Sequence, residues 1–410
     1  MSSAIELTES PIQSEAFFFN PYPIIAQLRE EDPVHWVPGL GFWWVTRHDD
    51  VRRLLDDAEH VTGDRRAWEF YVPAAEGSFL RWVADNNLFA LSRAEHARVR
   101  RIASAAFTPR AVARIEQQVR EVIERFAAPL RGRRGVVDLL GEFCNPIPNA
   151  VISRITGVPA AGGDEDRFRA LAQTTIQGFL GIGDTELQRK GEAAFFELAE
   201  WVRAMVQERR GGPRDDLLSD LLQAQSAGDA PITDDEIVIL VSGLIGAGSE
   251  TTAMGGLVSI LTLLQHPEAC ERLRADREMI AKAMNEIMRF GFGGPGALPR
   301  YAVRDFELRG RRIRKGQMMM LSFGGANRDP SVYPDPDRFD LDRDPTELLT
   351  FGHGTHFCLG AHLARQEMRC MLDAVLDFMP PGARLREELM EFTPMGFMRR
   401  PANLPVEFGA

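Results

Sequence analysis

The segment from Thr233 to Leu264 constrains the fold more than any other part of the chain. Thr233-Asp-Asp-Glu236 has the form of a capping box, a hydroxyl followed three residues later by a glutamate. The apolar pattern that it opens runs to about Leu264, on the order of 45 Å of helix at 1.5 Å per residue. A helix of that length crosses a whole globular domain, so other helices must pack around it. Its longest apolar run, residues 237–248, contains Ser242 and falls short of the ~20 residues that a membrane span needs. With 44% hydrophobic residues in 410, the chain can bury a large core and still enclose a ligand cavity.

The helical pattern extends from about Glu95 to Lys282, with breaks at Pro146, Pro148, Pro159, Gly211-Gly-Pro213 and Pro231. Ahead of it, Gly41-Phe-Trp-Trp-Val-Thr46 is aromatic and β-branched behind the turn Pro38-Gly-Leu-Gly41, which predicts a short strand or hairpin. Residues 63–90 show little periodicity and read as a long aromatic loop. Residues 291–345 turn Gly/Pro-rich and strand-like, and a last helix is predicted from about Leu359 to Phe378. Neither an internal repeat nor a linker is visible. The expectation is one mainly α domain with small β-sheets over residues 21–410, behind an extension of residues 1–20.

Forty-eight Lys+Arg against 59 Asp+Glu give a net charge of −11, which argues against duplex nucleic acid as a partner. Four cysteines (Cys144, Cys270, Cys358 and Cys370) are too few and too scattered for a disulfide scaffold. The first ten residues lack the basic start and apolar stretch of a signal peptide. The expected state is a cytoplasmic monomer bound to neither membrane nor nucleic acid.

Residues 351–360 read Phe-Gly-His-Gly-Thr-His-Phe-Cys-Leu-Gly. Cys358 stands just before a predicted helix, whose N-terminal amides and dipole favour thiolate over thiol. Gly352, Gly354 and Gly360 let the backbone come close to a flat ligand. A lone cysteine is more often a buried small hydrophobe, which is the reading for Cys144 and Cys270. A thiolate framed by glycines can instead be the axial ligand of a haem iron. The same stretch admits a second chemistry, since His353, His356, Cys358 and His362 have spacings that zinc could use.

The ten residues match the pattern Phe-x-x-Gly-x-x-x-Cys-x-Gly, and on it the chain resembles the cytochrome P450 superfamily of haem-thiolate monooxygenases. The resemblance to a soluble bacterial member runs from about Pro21 to Val406, with further motifs in the family's order. Glu286-Ile-Met-Arg289 resembles the family's Glu-x-x-Arg pair, and Arg338 stands where its third, structural partner is expected. Ala247-Gly-Ser-Glu250-Thr251-Thr252 resembles the acid–alcohol pair in the long helix over the haem. Gly243, Ala247 and Thr251 share one face there at i, i+4, i+8.

The resemblance implies haem b with Cys358 as ligand, Glu250 relaying protons and Thr251 hydrogen-bonding dioxygen. Further implied cofactor contacts are His96 and Arg100 (in the pattern His-x-x-x-Arg), Arg300, His356, Phe351, Gly352, Gly360 and Ala247. The family's Asp-Pro-Pro before the His-x-x-x-Arg helix is here Ser92-Arg93-Ala94, a departure at the start of that helix.

The implied reaction inserts one oxygen atom of O2 into a C–H or C=C bond of a lipophilic small molecule. Terpenoid, steroid, fatty acid and polyketide all stay open as substrate. Candidate pocket residues are Trp68, Phe70, Tyr71, Trp82, Phe89, Phe179, Gly243, Leu298, Met395 and Phe397, with the glycines at 291, 293, 294 and 296 suggesting room. Electrons would come from a separate ferredoxin or flavodoxin, docking on Arg98, Arg101, Arg110, Arg365 and Arg369. Two other classes stay in view, a non-catalytic haem binder and a zinc enzyme using His353, His356 and Cys358.

Overall fold

The computed structural model describes residues 10–14, 16–17, 20–104, 107–158, 164–180, 184–225, 232–291, 297–395 and 398–409. It is mainly helical with small sheets, as expected. The chain divides into two compact units, residues 1–73 with 285–358 and residues 74–284 with 359–410.

The first unit is built on a five-stranded sheet in the spatial order Val34–Val37, Phe42–Val45, Met318–Ser322, Ala297–Ala302, Val61–Thr62. The first two strands form the expected hairpin, with Val37 opposite Phe42 and Gly41 at φ +69° in the turn. Phe42–Val45 then pairs in parallel with Met318–Ser322, Trp44 opposite Met320. Val45, Leu321 and Phe323 close a buried core with Val51, Leu54 and Leu55 of the helix His48–Asp56. The described part of the first twenty residues packs into this unit. Ile12 and Phe17 are buried, and Phe17 meets Trp44 edge-on at 6.0 Å.

The second unit gathers helices around Asp234–Gln265, 32 residues long. The capping box is formed as predicted. Glu236 N donates to Thr233 Oγ1 (3.1 Å) and Thr233 N donates to Glu236 Oε2 (2.8 Å). The helix is long and apolar enough to cross a membrane by length and composition, but 67% of that stretch is buried inside the fold, the pattern of a core helix. Pro146–Thr156, Glu165–Leu180, Thr185–Gly211 and Ala361–Phe378 pack on it.

The helix's own glycines explain the close packing. A Cβ at Gly255 would collide with Met368 Sδ, and one at Gly256 would stand 2.5 Å from Met371 Cε. Glycine in a helix interior costs about 1 kcal/mol relative to alanine, and an overpacked methyl costs ~1–3 kcal/mol, so glycine is preferred at such crossings.

Two elements depart from the expected pattern. Residues 63–90 are not one loop, because Phe79–Asn86 is a helix whose N-cap Ser78 Oγ accepts from Arg81 N (3.2 Å). Gly135–Asp138, inside the stretch predicted helical, is a strand paired with Pro405–Phe408. Its partner lies at the other end of the sequence, so no local periodicity announces it.

Candidate active site

The loop around Cys358 belongs to the first unit and is shaped by its own backbone. Cys358 N donates to Phe351 O (2.8 Å), Phe357 N to Gly354 O (3.0 Å) and Gly352 N to Leu349 O (2.8 Å). Gly352 and Gly354 take φ of +74° and +67°, the left-handed region that side chains rarely enter. Gly354 is doubly required, because the Asp56 carboxylate occupies the space a Cβ would fill. Gly360 caps the helix Ala361–Phe378 with no side chain of its own, two residues past Cys358.

Cys358 is the exposed cysteine, whereas Cys144, Cys270 and Cys370 are buried and burial pushes each of those thiols up. His356 lies in the short turn Gly354–His356. His353 instead lines a surface groove with His48, Asp49, Arg52 and Asp56. Among the described residues no three His, Cys, Asp or Glu side chains converge on a point that could hold a metal, so the zinc reading has no ligand set.

In the same unit Arg300 sits on the strand Ala297–Ala302, opposite Met319, and is 4% exposed. Its Nη1 donates to the carbonyl of its own neighbour Pro299 (3.0 Å), and among the described residues no acid pairs with it. Burial draws the guanidinium down to about 10. A buried cation without an acid suits a ligand that brings its own carboxylate. Leu298, next to it, packs on the unit's core. Trp68 lies 6.4 Å from Tyr301 and meets Phe70 edge-on at 5.7 Å, while the guanidinium of Arg65 covers Tyr71. Glu69 N donates to Gly316 O (2.9 Å), tying this aromatic segment down.

The Glu-x-x-Arg pair is fully buried. Arg289 donates through Nε to Glu286 Oε2 (2.7 Å) and through Nη2 to Oε1 (2.8 Å). It also donates to the carbonyls of Asn327 (3.1 Å), Pro336 (2.8 Å) and Arg338 (3.2 Å). The guanidinium that completes the group is that of Arg343, whose Nε donates to Glu286 Oε1 at 3.2 Å. This corrects the expectation for Arg338, which supplies its backbone carbonyl and turns an exposed side chain to Asp340. The meander curls so that the later arginine, not the earlier one, points inward.

In the second unit the long helix is buried on most sides and open on one. Ala247 and Thr251 are exposed, and a Cβ at Gly243 would meet nothing within 4 Å, so the small face anticipated from the spacing is real space. Thr251 Oγ1 donates to Ala247 O (2.6 Å). With its hydrogen committed to that carbonyl, the hydroxyl presents lone pairs to the open side and acts there as an acceptor. Glu250 is buried on another side of the helix, where it forms an ion pair with Arg400 of the strand Met398–Pro401. No sequence signal singles out Arg400.

The helix Arg93–Ser104 starts on a capping box. Ser92 N donates to Glu95 Oε2 (3.0 Å) and Glu95 N to Ser92 Oγ (3.3 Å), which supplies a defined helix start without Asp-Pro-Pro. His96 and Arg100 follow on one face. His96 is buried, and burial, with Arg100 beside it, lowers its basicity. Arg98 pairs with Glu236 and Arg369 with Glu116, while Arg101 and Arg110 are exposed. Trp82 lies on the helix Phe79–Asn86 and Phe179 is exposed near the end of Glu165–Leu180. Phe89 is half-buried in the turn after the Trp82 helix. Met395 ends the strand Phe392–Met395, and Phe397 and the glycines at 293, 294 and 296 lie outside the described residues.

Each unit, taken by itself, fits what haem requires. The first offers an exposed thiol in a glycine-framed loop and a buried arginine lacking an acid. The second offers a strip of helix whose side chains are small enough for a flat ring.

Comparison with known proteins agrees. The family model "Cytochrome P450" matches residues 38–407. Mycinamicin IV hydroxylase/epoxidase of Micromonospora griseorubida is 34% identical, covering 93% of this chain and 94% of its own. Vitamin D(3) 25-hydroxylase of Pseudonocardia autotrophica is 33% identical, over 87% and 85%. The solved structure of epothilone D-bound cytochrome P450epoK superposes with a TM-score of 0.87 at 28% identity, over 98% and 99%. With a haem ligand loop, a Glu-x-x-Arg lock and a family match over nearly its whole length, the chain belongs to the cytochrome P450 family of haem-thiolate monooxygenases.

Proposed function

We propose that the enzyme hydroxylates or epoxidises a bulky lipophile of the polyketide or steroid kind, and that residues 21–410 act as one catalytic domain. The observation that carries this reading is the open face of Asp234–Gln265, where Gly243 and Ala247 leave space ahead of Thr251. The relatives named above for mycinamicin IV, vitamin D(3) and epothilone D support a large substrate.

When bound, haem would supply the oxygen-transfer chemistry, with the Cys358 thiolate holding its iron. Arg300, His96, Arg100 and His356 would hold its carboxylates, and Phe351, Gly352, Gly360 and Ala247 would be the groups nearest its ring. Thr251 accepts a hydrogen bond on the open side, and Glu250 brings protons to it. Trp68, Phe70, Tyr71, Trp82, Phe89, Phe179 and Leu298 would supply apolar wall.

The test is a lipophile panel scored by the shift of the haem spin state. Large macrolides or steroids are expected to give the shift. Gly243→Phe is expected to weaken it by at least about tenfold while leaving the ferrous–carbon monoxide spectrum unchanged, because a ring would fill the open face. Binding of short fatty acids alone, indifferent to Gly243→Phe, would sink this reading.

We further propose a cytoplasmic monomer reduced by an acidic ferredoxin or flavodoxin. Arg98 pairs with Glu236 and Arg369 with Glu116, so the exposed Arg101 and Arg110 carry most of the docking proposal, with Arg365 of the helix Ala361–Phe378 as a further contact. Arg101→Glu with Arg365→Glu should slow reduction about tenfold at low salt and flatten its salt dependence. An unchanged rate and salt slope would refute it, and light scattering on the same preparation should read one chain.

A further inference from the structure

The Glu250–Arg400 contact joins two charges that the fold has removed from water. Their side chains are 4% and 13% exposed. Apart from their mutual contact, neither carboxylate oxygen of Glu250 has a hydrogen-bond partner among the described residues, and the same holds for Nε and Nη1 of Arg400. Among the described residues no other charged side chain pairs with either of them. The two residues come from distant parts of the chain. Glu250 lies in the middle of Asp234–Gln265, and Arg400 stands on the second strand of the hairpin Phe392–Met395/Met398–Pro401, opposite Thr393. A buried ion pair with no supporting hydrogen bonds is a poor way to stabilise a fold, since desolvation of both charges can exceed their attraction. A pair of that kind beside Thr251 therefore calls for a reason other than stability.

We propose that Arg400 is a positioning residue, which keeps Glu250 ionised and fixes its carboxylate on the side of the helix next to Thr251. This rests on the reading that Glu250 carries protons. The relay then runs in two balanced steps. The carboxylate takes a proton from a solvent hydronium ion, which leaves as water, and the resulting neutral acid loosens from Arg400. It next gives that proton to a water on the open side of Thr251, which carries it on as hydronium, and the restored carboxylate pairs again with the guanidinium. Without Arg400 the buried acid would stay protonated, because burial without a counter-charge favours the neutral form. The relay would then lack its accepting state.

Infrared spectroscopy on the haem-loaded enzyme reads that state directly. Arg400→Gln is expected to gain a protonated-carboxyl C=O band at neutral pH that the parent lacks. Arg400→Gln combined with Glu250→Gln should lose it, and Arg400→Lys, which keeps the charge, should not show it. Product formed per electron pair consumed should fall about tenfold in Arg400→Gln and recover in Arg400→Lys, the range a positioned acid–base group commands. A folded Arg400→Gln without the new band overturns the proposal, as does a band that persists in the double variant. If the band behaves as expected but product per electron pair does not change, Arg400 still sets the state of Glu250. The proton-relay reading of Glu250 is then what fails.

Discussion

Cys358→Ala is expected to abolish both the strongly red-shifted ferrous–carbon monoxide band and all product formation. The thiolate is the ligand class that pushes electron density toward O–O cleavage, so no partial activity survives its loss. Substitution by another thiol is closed off. Cys144, Cys270 and Cys370 are buried, and burial holds each of them in the neutral form that does not ligate iron. Cys370→Ala serves as the control and should leave band and turnover unchanged. Arg300 does not depend on the thiol, so a haem content near the parent's is expected, with a spectrum no longer of the thiolate type. Retention of the red-shifted band in Cys358→Ala would place the ligand elsewhere and undo the assignment of the loop.

The second large effect is on stability. Arg289→Leu removes the sole side-chain partner that Glu286 has on its own helix and the donor to three backbone carbonyls. Taking the main partner from a buried carboxylate, which keeps only Arg343 and the Asp340 amide, costs about 3 kcal/mol, read as a lowered denaturant midpoint at unchanged slope. Three comparisons make the assignment specific. Glu286→Leu with Arg289→Leu should lose less than the two single variants summed, because the two fully buried charges leave together and Arg343 keeps its carbonyl partners. Arg343→Ala should destabilise measurably, since its guanidinium reaches Glu286. Arg338→Ala should fall within about 0.5 kcal/mol of the parent, because that side chain is exposed and its pairing with Asp340 lies at the surface. Equal losses for Arg338→Ala and Arg343→Ala would contradict the geometry of the meander.

What the sequence determines here is whatever is written between near neighbours. Thr233 and Glu236 close their capping box from adjacent turns of one helix, so the start of the core helix is readable three residues at a time. The same holds for Ser78 at its helix start and for Ser92 with Glu95. The spacing of Gly243, Ala247 and Thr251 defines a small face before any packing is known, and the glycines around Cys358 announce a backbone that side chains could not follow.

Tertiary structure decides which of many chemically equivalent groups arrives at a given point. Arginines are numerous in the chain, and nothing local distinguishes Arg343 from Arg338 as the partner of Glu286, or Arg400 from any other as the partner of Glu250. The strand Gly135–Asp138 exists because Pro405–Phe408 pairs with it, and Arg98 is drawn from the surface because Glu236 stands beside it. Capping and periodicity act over one helical turn, whereas an ion pair or a strand pairing depends on where the whole backbone goes. The motif residues were therefore legible in the sequence, and the partners that hold them were settled only by the fold.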